Sequence, residues 1–295
     1  NNTMSRTKNP AVVFYGMYIY YANDAFKVDG NIFNLTGGTT TNYAIIMSLC
    51  NVTSTVRGTV DNNVVNISSS STQYGISIQS SNYYSANNNK ITATGTSTGT
   101  MYPLYNYNTS TSYGKDVYVN SNDVTATGNG SMYVYGHYLA SNSQFDNNKI
   151  VLGTSANTGA RYVYAGYTSC NNVTANNNDI ATNTTNSLSY LYAYYSSCTN
   201  VSFNNNKVSI NAGASTSTQY IYFGYSGNTN LIMQGNDLSM QNTSTGAKYM
   251  YMGYSSNSNL FFTNNKFTMS NTSSGVQYMY NIYSGNTGNI DYSNN

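Results

Sequence analysis

The chain has 295 residues, of which only 7% are charged, and 11 Lys and Arg against 9 Asp leave a formal net charge of +2. The charges are scattered, with no basic cluster to follow a phosphate backbone, so nucleic acid is not an expected partner. Asn, Ser, Thr, Gly and Tyr dominate, yet 33 Tyr, 11 Met and 9 Phe supply more large apolar surface than a disordered chain carries.

The chain opens on Asn1-Asn2-Thr3-Met4 without an initiator Met or a visible leader, and so reads as processed or cut from a longer polypeptide. Ala11 to Ala22 is the longest apolar stretch, too short and too interrupted by Tyr and Gly to span a bilayer. A repeat then takes over. Variants of Asn-Asn-(Lys or Asp)-apolar place an apolar anchor at Phe33, Val65, Ile91, Val124, Ile150, Ile180, Val208, Leu238 and Phe267. Eight steps cover 267 − 33 = 234 residues, a mean of about 29.

Each period predicts three short strands, because apolar residues alternate with polar ones in three places. One pair follows the anchor, as in Val208/Ile210 and Leu238/Met240. A second lies seven residues earlier, as in Val201/Phe203 and Leu231/Met233, and a third segment begins Tyr190-Leu-Tyr or Tyr220-Ile-Tyr. No stretch repeats at helical spacing, so helix is excluded. Three strands cannot bury their own apolar face, but coils stacked about 4.8 Å apart build a continuous core. The expectation is therefore an all-β parallel β-solenoid of about ten coils, right-handed by the usual preference, forming one domain over 1–295 that is complete or a segment of a longer array. A β-sandwich would have no reason to keep this register.

Stacking turns sequence positions into columns. The residue two before each anchor is always Asn: Asn31, Asn63, Asn89, Asn122, Asn148, Asn178, Asn206, Asn236 and Asn265. A short amide both donates and accepts, so these predict a ladder along the axis. The next position alternates in sign from coil to coil: Lys90, Asp123, Lys149, Asp179, Lys207, Asp237, Lys266. Opposite charges on neighbouring strands favour this register over a slipped one.

Further along, Pro103 and extra residues near Asn106 to Gly114 predict a loop or bulge in the coil between Ile91 and Val124. The lone His137 has no Cys or acidic cluster at metal-ligand spacing and reads as structural. Cys170 and Cys198 each precede a second-strand anchor by three residues, so they should be vertical neighbours, as a disulfide or as two free thiols; Cys50 has no partner. Tyr162/Tyr164, Tyr190/Tyr192, Tyr220/Tyr222 and Tyr249/Tyr251 flank inward apolar residues and are expected outside as two aromatic stripes, a surface for carbohydrate or protein, the alternative being that they are covered. Sequons at Asn1, Asn34, Asn51, Asn66, Asn108, Asn129, Asn172, Asn183, Asn200, Asn242 and Asn271 permit glycans, but a sequence this rich in Asn, Ser and Thr produces them by chance.

The three-strand coil with its Asn column resembles the right-handed parallel β-helix repeat superfamily, which includes pectate lyases, polygalacturonases, phage tailspikes and many surface adhesins. The enzymes cluster Asp, Lys, Arg and often His in a cleft, whereas here the charges are isolated and Lys flanks Asp123, Asp179 and Asp237; the activity is not carried over. No nucleophile elbow, phosphate loop, zinc signature or dinucleotide fingerprint is present, and no cofactor is expected. The expected role is a non-enzymatic extracellular or cell-surface structural protein, filament-forming or adhesive. Asn294-Asn295 repeat the phase of Asn1-Asn2, so head-to-tail stacking of copies, or continuation within a longer chain, is the expected association. The rival is a carbohydrate-binding or polysaccharide-degrading β-helix.

Overall fold

The computed structural model describes residues 2–7, 13–50, 57–96, 98–154, 158–184, 188–212, 216–242, 245–271 and 274–295. Asn1, Ala11, Asn51 and the side chains of Asn242 and Asn271 lie outside the described residues. Three ten-stranded sheets, every pairing parallel, make a parallel β-solenoid with three strands per coil. No helix among the described residues is long and apolar enough to cross a membrane.

We name the sheets in the order the chain visits them. Sheet A carries the strands after the Asn doublet, from Thr3–Arg6 to Lys266–Asn271; sheet B the Tyr-rich strands, from Phe14–Tyr20 to Gln277–Ser284; sheet C the strands from Lys27–Asp29 to Thr287–Ser293. Coil 1 begins at Thr3 and coil 10 at Lys266. The anchors of sheet A stack in register, Val208 on Ile180 and under Leu238, and are buried from Phe33 to Leu238, with Phe267 partly so. With inward residues of the other sheets, such as Val163, Leu191, Val201 and Phe203, they form one continuous core. Each strand is too short to stand alone, so the fold's cohesion comes from parallel neighbours that satisfy each backbone and bury each apolar side chain.

The Asn doublet divides its labour between two residues. The first Asn takes the left-handed turn conformation, as at Asn147, Asn177 and Asn205 with φ of 54–59°, and Gly235 does the same at φ 67°. The second Asn is buried and faces inward. The turn thus falls on the residue before the ladder Asn, because a left-handed backbone reverses the chain there and aims the next side chain inside.

Coil 4 departs from the regular pattern, as do the last two sheet C strands, whose register shifts between Ser258 and Leu260. In coil 4 the register shifts between Met101 and Leu104, around Pro103, which cannot donate to the ladder. Its sheet C strand, like that of coil 3 at Tyr84–Ser85, shrinks to two residues, Val117–Tyr118.

Candidate functional surface: axial ladders and the tyrosine face

The buried Asn column runs from Asn2 to Asn295. At each step the backbone N–H and Nδ2 of one Asn both donate to Oδ1 of the Asn on the next coil: Asn178 to Asn206 at 2.8 and 2.9 Å, Asn206 to Asn236 at 2.9 and 3.0 Å. The remaining Nδ2 proton goes to a carbonyl below, Phe145 O for Asn178 and Ala175 O for Asn206. The same pattern holds through Asn63, Asn89, Asn122, Asn148, Asn236 and Asn265. No donor of these amides is left over, which is why a polar column is tolerated in a core.

The charge column stands on the outer face of sheet A, with Lys90 beside Asp123, Asp123 beside Lys149, Lys149 beside Asp179, Asp179 beside Lys207 and Lys207 beside Asp237. Among the described residues its one direct ion pair is Lys266 Nζ to Asp237 Oδ2 at 3.3 Å, and both ends are well exposed. The column is therefore a weak register signal.

Sequence reading missed two further polar columns. At the corner between sheets B and C, a left-handed residue precedes an inward side chain in the same way as at the Asn doublet: Leu49-Cys50, Ser80-Ser81, Ser169-Cys170, Ser197-Cys198, Gly227-Asn228, Ser256-Asn257. The backbone N–H of Cys50 donates to Ser81 Oγ, that of Cys198 to Asn228 Oδ1, and Asn228 donates to Asn257. This column gives Cys50 a place. Cys170 and Cys198 are neighbours on successive coils, as spacing required, and are buried free thiols in contact with each other. The recurring Tyr-Ser-Gly-Asn-Thr and Tyr-Ser-Ser-Asn-Ser strings were the signal, obscured because the corner residue changes identity between coils.

The other column runs before the Asn doublet, where a side-chain oxygen caps an N–H of the next coil. Asn87 N–H donates to Asp61 Oδ1, Asn120 to Asn87, Asp146 to Asn120, Asn176 to Asp146. Asp61 and Asp146 are partly buried, and desolvation pushes both carboxyls up. Asp29, in register with Asp61, is held low by Asn62 and by Lys27 at 3.2 Å. These neighbours are the nearest approach to an acid pair with separated proton affinities. Their oxygens are already engaged, Asp61 by Asn87 N–H and Ser85 Oγ, Asp29 by Asn62 Nδ2 and Lys27.

His137 is fully buried, its Nδ1 2.9 Å from Asn106 Nδ2, and Asn106 accepts from Tyr84 Oη at 2.6 Å. Its Nε2 lies against the Gln144 backbone without reaching hydrogen-bond geometry. Burial pushes the imidazole down to about 4. No set of three His, Cys, Asp or Glu side chains among the described residues could hold a metal ion.

The Tyr residues form the largest feature, on the outer face of sheet B and separate from the core. There are three columns where the sequence suggested two. The first runs through all ten coils: Tyr15, Tyr43, Tyr74, Tyr102, Tyr133, Tyr162, Tyr190, Tyr220, Tyr249 and Tyr278. The second continues through Tyr135, Tyr164, Tyr192, Tyr222, Tyr251 and Tyr280, and the third through Tyr138, Tyr167, Tyr195, Tyr225, Tyr254 and Tyr283. Rings stack face to face along each column, and the second and third meet edge to face, Tyr192 against Tyr195 at 5.1 Å and 84°.

This packing corrects the expectation of freely exposed stripes. Tyr164, Tyr192, Tyr222 and Tyr251 are only 6–7% exposed, because the flanking columns cover them, while Tyr162, Tyr190, Tyr220 and Tyr249 are half-buried. Stacking along the axis also occupies the π faces, so mid-rod rings offer solvent their edges and hydroxyls. Desolvation raises the phenols, Tyr190 to about 12. The sequons divide as well: Asn66, Asn129, Asn172 and Asn200 are exposed, Asn34 and Asn183 partly so, and Asn108 is fully buried with Nδ2 bonded to Leu139 O, where no glycan fits the folded chain.

No family model matches the chain, and no curated protein matches it in sequence. A solved structure that it resembles weakly is the A-module of the mannuronan C-5 epimerase AlgE4 of Azotobacter vinelandii, at 11% identity and a TM-score of 0.18 over 96% of this chain and 91% of that one.

Proposed function

We propose that the chain is a non-enzymatic structural rod of the cell exterior, which continues coil on coil into a filament, through its own polypeptide or through a second copy stacked head to tail. The observation that carries this reading is that the interacting groups of its columns point along the axis: each amide, thiol, capping carboxylate and phenol ring is engaged by the coil above or below it. Such a surface resists slippage and fraying, which is what a filament requires. A low content of charge and an abundance of Asn, Ser, Thr and Tyr support the extracellular setting and, with it, an adhesive use of the hydroxyl-edged Tyr face.

A polysaccharide-active β-helix is the second reading, favoured by the Asp29–Asp61 pair with its opposed proton affinities. Against it, those oxygens serve internal hydrogen bonds, and the Tyr columns lack the open ring faces on which sugars stack. Electron microscopy of concentrated protein, together with an assay panel on acidic and neutral glycans, separates the two. Filaments with an axial repeat of about 4.8 Å and no turnover are expected; discrete short particles that process a glycan would overturn the proposal.

A further inference from the structure

The stacked phenols have a property independent of the structural role proposed above. In the first column, ring centroids from Tyr15 to Tyr278 are 4.5–5.2 Å apart with interplanar angles of 2–20°. The second column keeps 4.7–5.0 Å from Tyr135 to Tyr280, and the third 4.6–5.0 Å from Tyr138 to Tyr283. Cross-contacts within a coil, such as Tyr162–Tyr164 at 6.3 Å and Tyr164–Tyr167 at 5.0 Å, join the columns. Tyrosine is among the side chains most readily oxidised by one electron, and nowhere along the first column does another residue type intervene.

We propose that the tyrosine face is a relay for one-electron oxidation, carrying a tyrosyl radical along the rod axis from ring to ring. A one-electron oxidant of phenols takes an electron from one Tyr, whose hydroxyl proton leaves to solvent, and a neutral phenoxyl remains. The next phenol in the stack passes it an electron through the facing rings, releasing its own hydroxyl proton to solvent while the reduced ring takes one up from solvent. The first ring is a phenol again and the radical has moved by one coil; each hop leaves atoms and charge unchanged. An external hydrogen-atom donor of the thiol class ends the sequence by reducing the last phenoxyl. The middle column suits the task because its rings are shielded from water, and the flanking columns set hydroxyls at the surface, where protons and donors arrive.

The test starts the radical at a known coil. Cys50, Cys170 and Cys198 are buried, so Ser131→Cys, two residues before Tyr133, supplies a selective attachment point for a ruthenium polypyridyl photo-oxidant. After illumination with an external electron acceptor, a nitroso spin trap marks radical positions and peptide mapping locates the adducts. The expected pattern is adducts on Tyr220 to Tyr283, several coils from the label. The triple variant Tyr190→Phe, Tyr192→Phe, Tyr195→Phe keeps the rings but replaces the oxidisable phenols across all three columns. It should abolish adducts beyond coil 6, on Tyr220 to Tyr283, while adducts on the coil 1 side of the label persist along Tyr102 and Tyr74, and moving the cut to Tyr220, Tyr222 and Tyr225 should move the boundary one coil further. Single Tyr190→Phe leaves two columns open and should change the pattern little. Adducts that ignore the cut, or that never leave Tyr133 in the uncut protein, would overturn the relay. Matching melting curves for the cut and uncut proteins, checked first, keep a folding defect from imitating the expected result, and if one cut misfolds the other serves.

Discussion

Coils 3–5 and coils 7–10 are built from the same strands yet solve the corner between sheets B and C differently. In coils 7–10 the corner holds Cys198, Asn228, Asn257 and Asn286 in one column, each of the first three donating its backbone N–H to the side-chain oxygen of the next. In coils 3–5 the anchor spacing changes to 33 and then 26 residues (124 − 91, 150 − 124), the register shifts at Pro103, and the column, carried from Ser81 N–H to Asn108 Oδ1, ends on Leu139 O beside a buried network of Tyr84, Asn106 and His137. The lesson is that a repeat tolerates a break only if the displaced polar groups find new partners. A periodic column achieves this with one residue type, whereas the irregular region needs a specific network containing a titratable group.

The largest expected effect breaks the regular half. Asn206→Leu removes the acceptor for both the N–H and Nδ2 of Asn178 and the donor to Ala175 O. Orphaning two buried donors should cost about 3–5 kcal/mol in urea unfolding. A loss below about 1 kcal/mol would mean that the ladder is not a cooperative column.

The irregular region should show itself in acid. His137 is held neutral, with its folded-state pKa at about 4 below the reference value of 6.5. Its contribution is therefore complete above pH 6.5, falls as pH drops through that value, and levels off near pH 4, with a total loss of about 3 kcal/mol. Unfolding free energies from pH 7.5 to 4 should follow this curve, and His137→Gln should remove that component of the slope.

Tyr222→Ala opens a hole in the middle Tyr column and should cost about 2 kcal/mol, whereas Tyr222→Phe, which keeps the stacked ring, should cost less than about 1 kcal/mol. Equal losses would show that the hydroxyl, and not ring packing, holds the face. The smallest effect belongs to the exposed charge column: Lys207→Asp places three carboxylates in succession with Asp179 and Asp237 and should cost about 1 kcal/mol or less, vanishing in high salt. A salt-insensitive loss would point to packing instead.

Much of this was legible in the chain. The period of about 29, the three strands per coil, the Asn column, the alternating charges and the break at Pro103 all follow from residue identity at fixed spacing, because parallel stacking maps equal positions onto equal places. The corner column was hidden because Ser, Cys and Asn fill one site; what they share is an inward direction set by the left-handed residue before them, a property of backbone geometry. The capping role of Asp61 and Asp146 was hidden for the same reason, since Asn serves at the neighbouring steps.

Sequence alone thus determined the period, the register and which side chains line the axis, since alternation and recurrence are local facts about the chain. Only the tertiary structure decided how buried each side chain became. A Tyr on the outer face is exposed or covered according to the rings beside it, and three adjoining columns with rings 4.5–5.2 Å apart bury the middle one. Burial is a sum over neighbours from other coils, and no single coil contains that sum.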